Sequence, residues 1–267
     1  YHLIEPTPPL QLAQQQRIFQ SCPPPAYKTC SWASDLPQNF QGIIIANEIL
    51  DALPVHLLQT DEQCSLQTVN VIDQNNQLSL DYAPIDTSIS QIFHDRNIPL
   101  YPNYRYEIST AIPPFIDKIS QSLQSGICLL LDYGYSRKHY YHPHRSMGTL
   151  TSFYQHRRND NILEQPGNQD ISVHVDFTLV AESAHCAGMQ IHGYTNQEQF
   201  LLANDLTQIL HEKKSQCSQT EFARIRKHAH TLTSPLEMGE TIKVIALGKS
   251  IPQATPLMGF RLGTLPL

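Results

Sequence analysis

No two of the six cysteines (Cys22, Cys30, Cys64, Cys128, Cys186 and Cys217) form a CxxC pair. Their scatter excludes a disulfide-stapled scaffold and suits thiols kept in a reducing compartment. No apolar run approaches the ~20 residues that a helix needs to cross a bilayer, and no charged n-region followed by an apolar h-region opens the chain. Base is not in excess either: Lys plus Arg is 18 against Asp plus Glu 24, a formal charge of −6. That balance argues against a protein that binds nucleic acid by neutralising phosphates. With 267 residues, no internal repeat and no clear linker, the chain has ample length to bury a core and reads as a single domain over 1–267. It begins Tyr-His-Leu-Ile-Glu, inside an apparent strand and without Met, so natural sequence is expected upstream.

What is present is organised around Gly42-Ile43-Ile44-Ile45-Ala46-Asn47-Glu48-Ile49-Leu50-Asp51-Ala52-Leu53-Pro54. Consecutive apolar residues suit a strand buried on both faces, because one wet face would impose period two. At Asn47-Glu48 the chain turns polar, and in an open parallel α/β sheet such strand ends face the ligand crevice. The pattern recurs where His2-Leu3-Ile4 meets Glu5 and where Ile127 to Leu131 meets Asp132. Any one such acid could merely solubilise a strand end. Three together favour a shared acidic rim.

The remaining elements follow from periodicity and turn chemistry. Helices are expected from Pro8 to Phe19, Thr87 to Arg96, Pro113 to Gln124 and Asp176 to Ala187. Two more open at Thr195-x-x-Glu198, running to about Glu212, and at Ser218-x-x-Glu221, running to about His230, both with capping-box spacing. Pro23-Pro24-Pro25 marks a stiff loop, and Tyr27 to Trp32 a short edge strand. Residues 55–110 read as an antiparallel meander inserted beside the main sheet. Residues 134–170 read as a long loop with little periodicity, rich in His (His139, His142, His144, His156), Tyr and Arg, and functional rather than disordered. The three histidines 139, 142 and 144 match no standard zinc spacing, so no metal is expected.

These residues resemble a family. Asn47-Glu48-x-x-Asp51-Ala52-x-Pro54-Val55, Leu131-Asp132-Tyr133-Gly134, Gly148-Thr149-Leu150, Pro166-Gly167-x-x-Asp170-Ile171-x-x-His174-Val175-Asp176-Phe177, Met238-Gly239-Glu240 and Lys243-Val244 occur in the order seen in the MidA-like methyltransferases. That family includes the mitochondrial complex I assembly factor that methylates arginine. The resemblance implies an α/β, class I S-adenosylmethionine-dependent (Rossmann-like) fold. The first strand and its Gly-rich loop would lie upstream of Tyr1, and without them the chain should hold the cofactor weakly. It also implies a protein arginine N-methyltransferase acting on a respiratory complex I subunit or a similar protein. The compartment would be the cytoplasm in a bacterium and the mitochondrial matrix in a eukaryote, and a homodimer is compatible with it.

Roles follow from charge and chemistry. An arginine acceptor is a cation with pKa above 12, so carboxylates that hold it in a fork would fix its approach. Glu48 is the first candidate, then Asp51 and Asp132, with Asn47 orienting the acceptor or contacting S-adenosylmethionine. Asp51 could equally cap a helix start. On the resemblance, Glu5 would accept bonds from the ribose hydroxyls, and Ser31 and Trp32 would line the adenine pocket, although a lone tryptophan is most often core. Tyr133, Tyr135 and His174 would wall the acceptor channel; the two tyrosines could instead pack under the long loop, and Asp176 reads as a helix cap. Two other classes remain open: a non-catalytic assembly protein working through the 134–170 loop, and an NAD-dependent oxidoreductase, because Glu5 would also suit a dinucleotide ribose.

Overall fold

The computed structural model of the chain describes residues 1–23, 26–155, 157–159, 161–252 and 256–267. Pro24 and Pro25 of the expected stiff loop, and His156, lie outside the described residues. The chain opens with β1 (His2–Ile4), crosses through α1 (Pro8–Ser21) and returns as β2 (Ser31–Ala33), which pairs in parallel with β1. Prolines occupy the first turn of α1, where a missing N–H costs nothing. No residue of α1 is buried, so the helix rests on this two-stranded ribbon by one side only.

β3 (Phe40–Asn47) then enters the main sheet. Beyond it β4 (Val55–Thr60), β5 (Leu66–Gln74), β6 (Gln77–Pro84), α2 (Thr87–Asp95) and β7 (Arg105–Ser109) form the insert, an antiparallel sheet in the order β6-β5-β4-β7. Its face is covered by α2 and by aromatic side chains. Ile89 and Phe93 pack with Leu58, Tyr104, Tyr106 and Ile108. α3 (Ile112–Ser122) buries Ile112, Ile116 and Ile119, a spacing of four and three that puts them on one helical face.

The central strand β8 (Leu123–Tyr135) pairs in parallel with β3, Ile43 lying opposite Ile127 and Asn47 opposite Leu131. After it come α4 (Arg137–Tyr140), β9 (Thr151–Tyr154), β10 (Arg157–Asn159) and β11 (Asp170–Ser172), with β9 paired antiparallel to both β10 and β11. The 134–170 stretch therefore holds a helical turn and a three-stranded ribbon, not a bare loop. Strands of three or four residues are too short to show period two. β12 (Val175–Asp176) pairs in parallel with the end of β8, Val175 opposite Gly134, and α5 (Phe177–Cys186) starts from Asp176, whose carboxylate accepts from Thr178 N and Leu179 N.

β13 (Gln190–Asn196) precedes α6 (Gln197–Ala203), α7 (Leu206–Gln216), α8 (Gln219–Thr233) and β14 (Ile242–Lys249). The single helix expected from Thr195 is two helices, because Asp205 takes φ +59° and breaks the ladder between them. Its cap is Asn196, which accepts from Gln199 N; Thr195 is still paired in the sheet. β14 runs antiparallel between β8 and β13, giving the order β3-β8-β14-β13.

The main core lies between this sheet and helices α3 and α5, built on Ile116, Ile119, Leu130, Phe177, Val180 and Ile245. On the other face Val244 and Ala246 pack with Phe260. That cover does not reach β3: Ile43 is 65% exposed and Ile45 69%, while Ile44 packs on the core. The expectation of burial on both faces is thus corrected. Among the described residues nothing lies over the Ile43 side, and the outer edge of β3 has no partner strand.

Candidate functional site

β3 and β8 are parallel neighbours, so their carboxyl ends share one rim. The last rung there is Glu48 N donating to Leu131 O at 2.8 Å. To leave the sheet the backbone turns sharply, and Glu48 takes φ +51°, a left-handed conformation that a side chain with a Cβ seldom adopts. The next three amides then converge on one atom. Asp132 Oδ2 accepts from Ile49 N (3.1 Å), Leu50 N (2.8 Å) and Asp51 N (3.2 Å), and Oδ1 accepts from Tyr133 N (2.9 Å). Asp132 is 1% exposed. Burial, then the charge of Asp51, pushes its carboxyl up to about 7, although the amides it holds favour the ionised form. Asp132 is therefore the anchor of the 48–51 turn, and its oxygens are engaged by main chain rather than offered to an acceptor.

The two carboxylates displayed by that turn are differently held. Asp51 Oδ2 accepts from Ser172 Oγ at 2.6 Å, and Asp51 O accepts from Val173 N at 3.0 Å, which ties the turn to the chain after β11. Glu48 is exposed, and its Oε1 accepts from Asn47 Nδ2 at 3.2 Å. Beside them stands a row of rings. Tyr133 and His174 stack at 6.1 Å with 17° between planes, and Tyr135 lies 5.4 Å from His174. Burial and then Glu48, Asp51 and Asp132 raise the Tyr133 phenol above its ordinary value, so the acids and this ring share one field. The guanidinium of Arg145 lies 3.9 Å over Tyr135, and Lys243 Nζ 5.6 Å over the same ring. Lys243 also donates to Glu240.

His174 is fixed by its backbone: its N donates to Thr149 Oγ1 at 3.1 Å. Burial, Arg145 and Lys243 push its imidazole down to about 4, so the ring stays neutral near pH 7. Its Nδ1 is buried and has no hydrogen-bond partner among the described residues. The support behind it is a residue absent from the sequence reading. Glu107 on β7, 3% exposed, accepts from Thr149 N (2.8 Å) and Leu150 N (3.1 Å). Gly148 takes φ +70°, and a Cβ there would run into the Glu107 carboxylate. The signal in the sequence is the motif Gly148-Thr149-Leu150; its partner is an acid in a strand of the insert, 42 residues from Thr149. Asp176, besides capping α5, bonds Arg137 at 3.0 Å, and Arg137 continues to Glu182.

At the β1–β2 ribbon the arrangement is looser. Glu5 follows the carboxyl end of β1; Oε1 accepts from Thr7 N (2.9 Å) and Oε2 from Gln14 Nε2 (3.3 Å). Trp32 Nε1 donates to Gln14 Oε1 at 3.0 Å, and its ring lines a groove of about 400 Å³ with Leu12, Phe19 and Tyr27. Ser31 stands at the other end of the ribbon, its Oγ 2.7 Å from His2 Nδ1 and paired with the first residue of β1, so it does not join Glu5 at the rim. His2 and Phe40 meet edge-on at 6.2 Å, which sets the starts of β1 and β3 side by side. The fit for a nucleoside is reasonable: an acid with spare lone pairs stands at a strand end near an apolar groove faced by an indole. Among the described residues no three of His, Cys, Asp and Glu group to hold a metal ion. No helix among them is long and apolar enough to cross a membrane.

A mixed sheet with a reversed strand, helices on its face and acids at one rim belongs to the class of α/β proteins whose ligands lie in a crevice outside the carboxyl ends of parallel strands. The chain is a member of the family described as "Putative S-adenosyl-L-methionine-dependent methyltransferase", whose model matches residues 1–195. Among curated relatives, the mitochondrial protein arginine methyltransferase NDUFAF7 homolog of Drosophila melanogaster is 28% identical over 97% of this chain, which spans 64% of that protein. The mitochondrial protein arginine methyltransferase NDUFAF7 of Xenopus laevis is 27% identical over 70% of the chain and 46% of its own length. A crystal structure of a superfamily member from Burkholderia thailandensis bound to S-adenosyl-homocysteine matches with TM-score 0.89 and 29% identity, covering 98% of this chain and 67% of that one.

Proposed function

We propose that this chain forms the acceptor side and part of the cofactor side of a protein arginine N-methyltransferase, acting on a respiratory complex I subunit or a similar protein. The observation that carries the reading is the 48–51 turn. Three of its amides on buried Asp132 hold it, and it offers Glu48 and Asp51 beside a row of aromatic rings. The curated relatives named as arginine methyltransferases and the neighbour bound to S-adenosyl-homocysteine support it.

S-adenosylmethionine, when bound, supplies an electrophilic methyl group. Glu5 would hold its ribose hydroxyls and Trp32 its adenine, with Asn47 at the junction of the two halves; Ser31 stands apart from them. Glu48 and Asp51 would take the guanidinium between them, fixing the nitrogen that reacts and offsetting the charge of a cation next to another. Tyr133, Tyr135 and His174 would wall the channel and keep water off the acceptor. If the source is eukaryotic, the mitochondrial matrix is the proposed compartment, as the relatives' names are mitochondrial; a bacterial protein would act in the cytoplasm.

The test uses full-length protein, tritiated S-adenosylmethionine and a complex I preparation from a strain lacking the protein. Label in arginine is expected, and Glu48→Gln with Asp51→Asn should lower it at least about 100-fold while the melting temperature stays put. Absence of both cofactor binding and arginine label in the wild type would end the proposal, and unchanged transfer in the double variant would make the acids structural.

A further inference from the structure

The row of rings beside the 48–51 turn has opposite charges at its two ends. At one end stand Glu48 and Asp51, on the turn that the Asp132 carboxylate ties to Tyr133 through Asp51 N at 3.2 Å and Tyr133 N at 2.9 Å. From there Tyr133 stacks on His174, His174 lies against Tyr135, and Tyr135 carries the guanidinium of Arg145. Arg145 forms no ion pair with an acid among the described residues; its Nε donates to the main-chain oxygen of His139. The chain around it is one-signed: residues 134–159 contain Arg137, Lys138, Arg145, Arg157 and Arg158 and no Asp or Glu, in a protein of net charge −6. Arg137 is spoken for by Asp176 and Glu182, and Lys243, the other cation over Tyr135, by Glu240. That leaves Arg145 as the cation at the far end of the row, half-buried and aimed at an aromatic face.

An apolar, aromatic track between an acidic and a basic terminus selects a ligand with the complementary order of charges. Resting on the reading above, we propose that the acceptor is an extended peptide segment in which the target arginine is followed or preceded by an acidic side chain, the arginine lying at Glu48 and Asp51 and the acid at Arg145. From Tyr133 to Arg145 the row runs by centroid steps of 6.1, 5.4 and 3.9 Å, whose sum bounds the straight span of that part of the track from above. At about 3.3 Å per extended residue, that is roughly three to five positions. Substrates whose arginines sit among glycines and further arginines would lack the second contact and meet repulsion at the basic end. Nucleic acid would satisfy the basic end and the rings, but its phosphates would be repelled by the acids.

The experiment is fluorescence anisotropy of labelled 14-residue peptides on full-length protein, which needs no methyl transfer. One peptide has a central arginine with glutamates three and four residues to either side, a second has alanines there, a third lysines, and a fourth has alanine in place of the arginine. The acidic peptide should bind at least tenfold tighter than the alanine peptide, and loss of its arginine should remove most of that binding. Arg145→Gln should bring the acidic and alanine peptides within about twofold, Arg145→Lys should keep most of the preference, and Arg145→Glu should favour the lysine peptide. Because Arg145 also holds the 139–145 turn, the swap of preference in the reversed-charge variant separates recognition from mere loosening. Equal affinity for the acidic and alanine peptides, a preference that survives Arg145→Gln, or displacement by oligouridine at equal concentration would each overturn the proposal. A wild type that shows the preference yet methylates none of the peptides would count against arginine methyl transfer, leaving the recognition intact.

Discussion

Acids end β1 and β3, each the member of a different parallel pair, and the structure treats the two ends in opposite ways. At β3 the rim is built from the interior outward: Asp132, buried under the sheet end, gathers three amides of the turn that presents Glu48 and Asp51, and a fourth from Tyr133 on β8. At β1 the acid is held by local bonds to Thr7 and Gln14 on a helix with no buried residue. Positioning for chemistry requires rotamers locked by a supporting shell, and only the β3 end has one among the described residues. The proposed acceptor side is thereby the more firmly held of the two.

The contrast can be broken by alanine. Asp132→Ala orphans four buried or half-buried amides and should cost about 4 kcal/mol in denaturant unfolding, whereas Glu5→Ala should cost about 1 kcal/mol or less. Equal costs would erase the distinction. Next in size is a pH effect with two opposing parts. His174 has a lowered folded pKa of about 4 against 6.5, so the unfolded chain binds the extra proton between those values and stability rises with pH across that window. Asp132 has a raised folded value of about 7 against 3.8, so its share of stability falls as pH rises from 3.8 to 7. At full extent they are worth roughly 3 kcal/mol for His174 and roughly 4 kcal/mol for Asp132, and in the wild type they largely cancel between pH 4 and 6.5. Asp132→Asn should leave stability climbing from pH 4 to 6.5, and His174→Gln should leave it falling; a flat profile in both variants would show that neither group is perturbed as described. Smaller still, Gly148→Ala should cost about 2 kcal/mol, from a positive φ and from displacing Glu107. Its second reading is sharper: Glu5→Ala should weaken S-adenosylhomocysteine in calorimetry, and Gly148→Ala should not.

The parts legible in the sequence were those with local signatures. Two of the acids ending apolar runs, Glu48 and Asp132, meet at the β3–β8 rim, while the third, Glu5, ends a strand of the separate β1–β2 ribbon; Ser218 caps α8 as its spacing implies, with Glu221 N donating to Ser218 Oγ. The fold class followed from the ordered motifs. What could not be read was which groups a side chain would meet. Asp132 looks like Glu48 in sequence, an acid at a strand end, yet its neighbour across the sheet turns it inward. Glu107 is invisible because its partners, the amides of Thr149 and Leu150, are 42 and 43 residues away. Asp205 offers no hint that it will adopt a left-handed turn and divide a helix. The exposed side of β3 escaped because an apolar run states what a strand could bury, and not what is there to cover it.

Glu48 bears its carboxylate on a backbone that would suit glycine better. A programme of stabilising substitutions that scans for left-handed residues would choose this position early, gain about 1 kcal/mol, and return a tougher protein with the first of its proposed acceptor ligands deleted. Thermal robustness is therefore a poor proxy for fitness at this turn, and any engineered version should be screened for function before it is ranked by melting temperature.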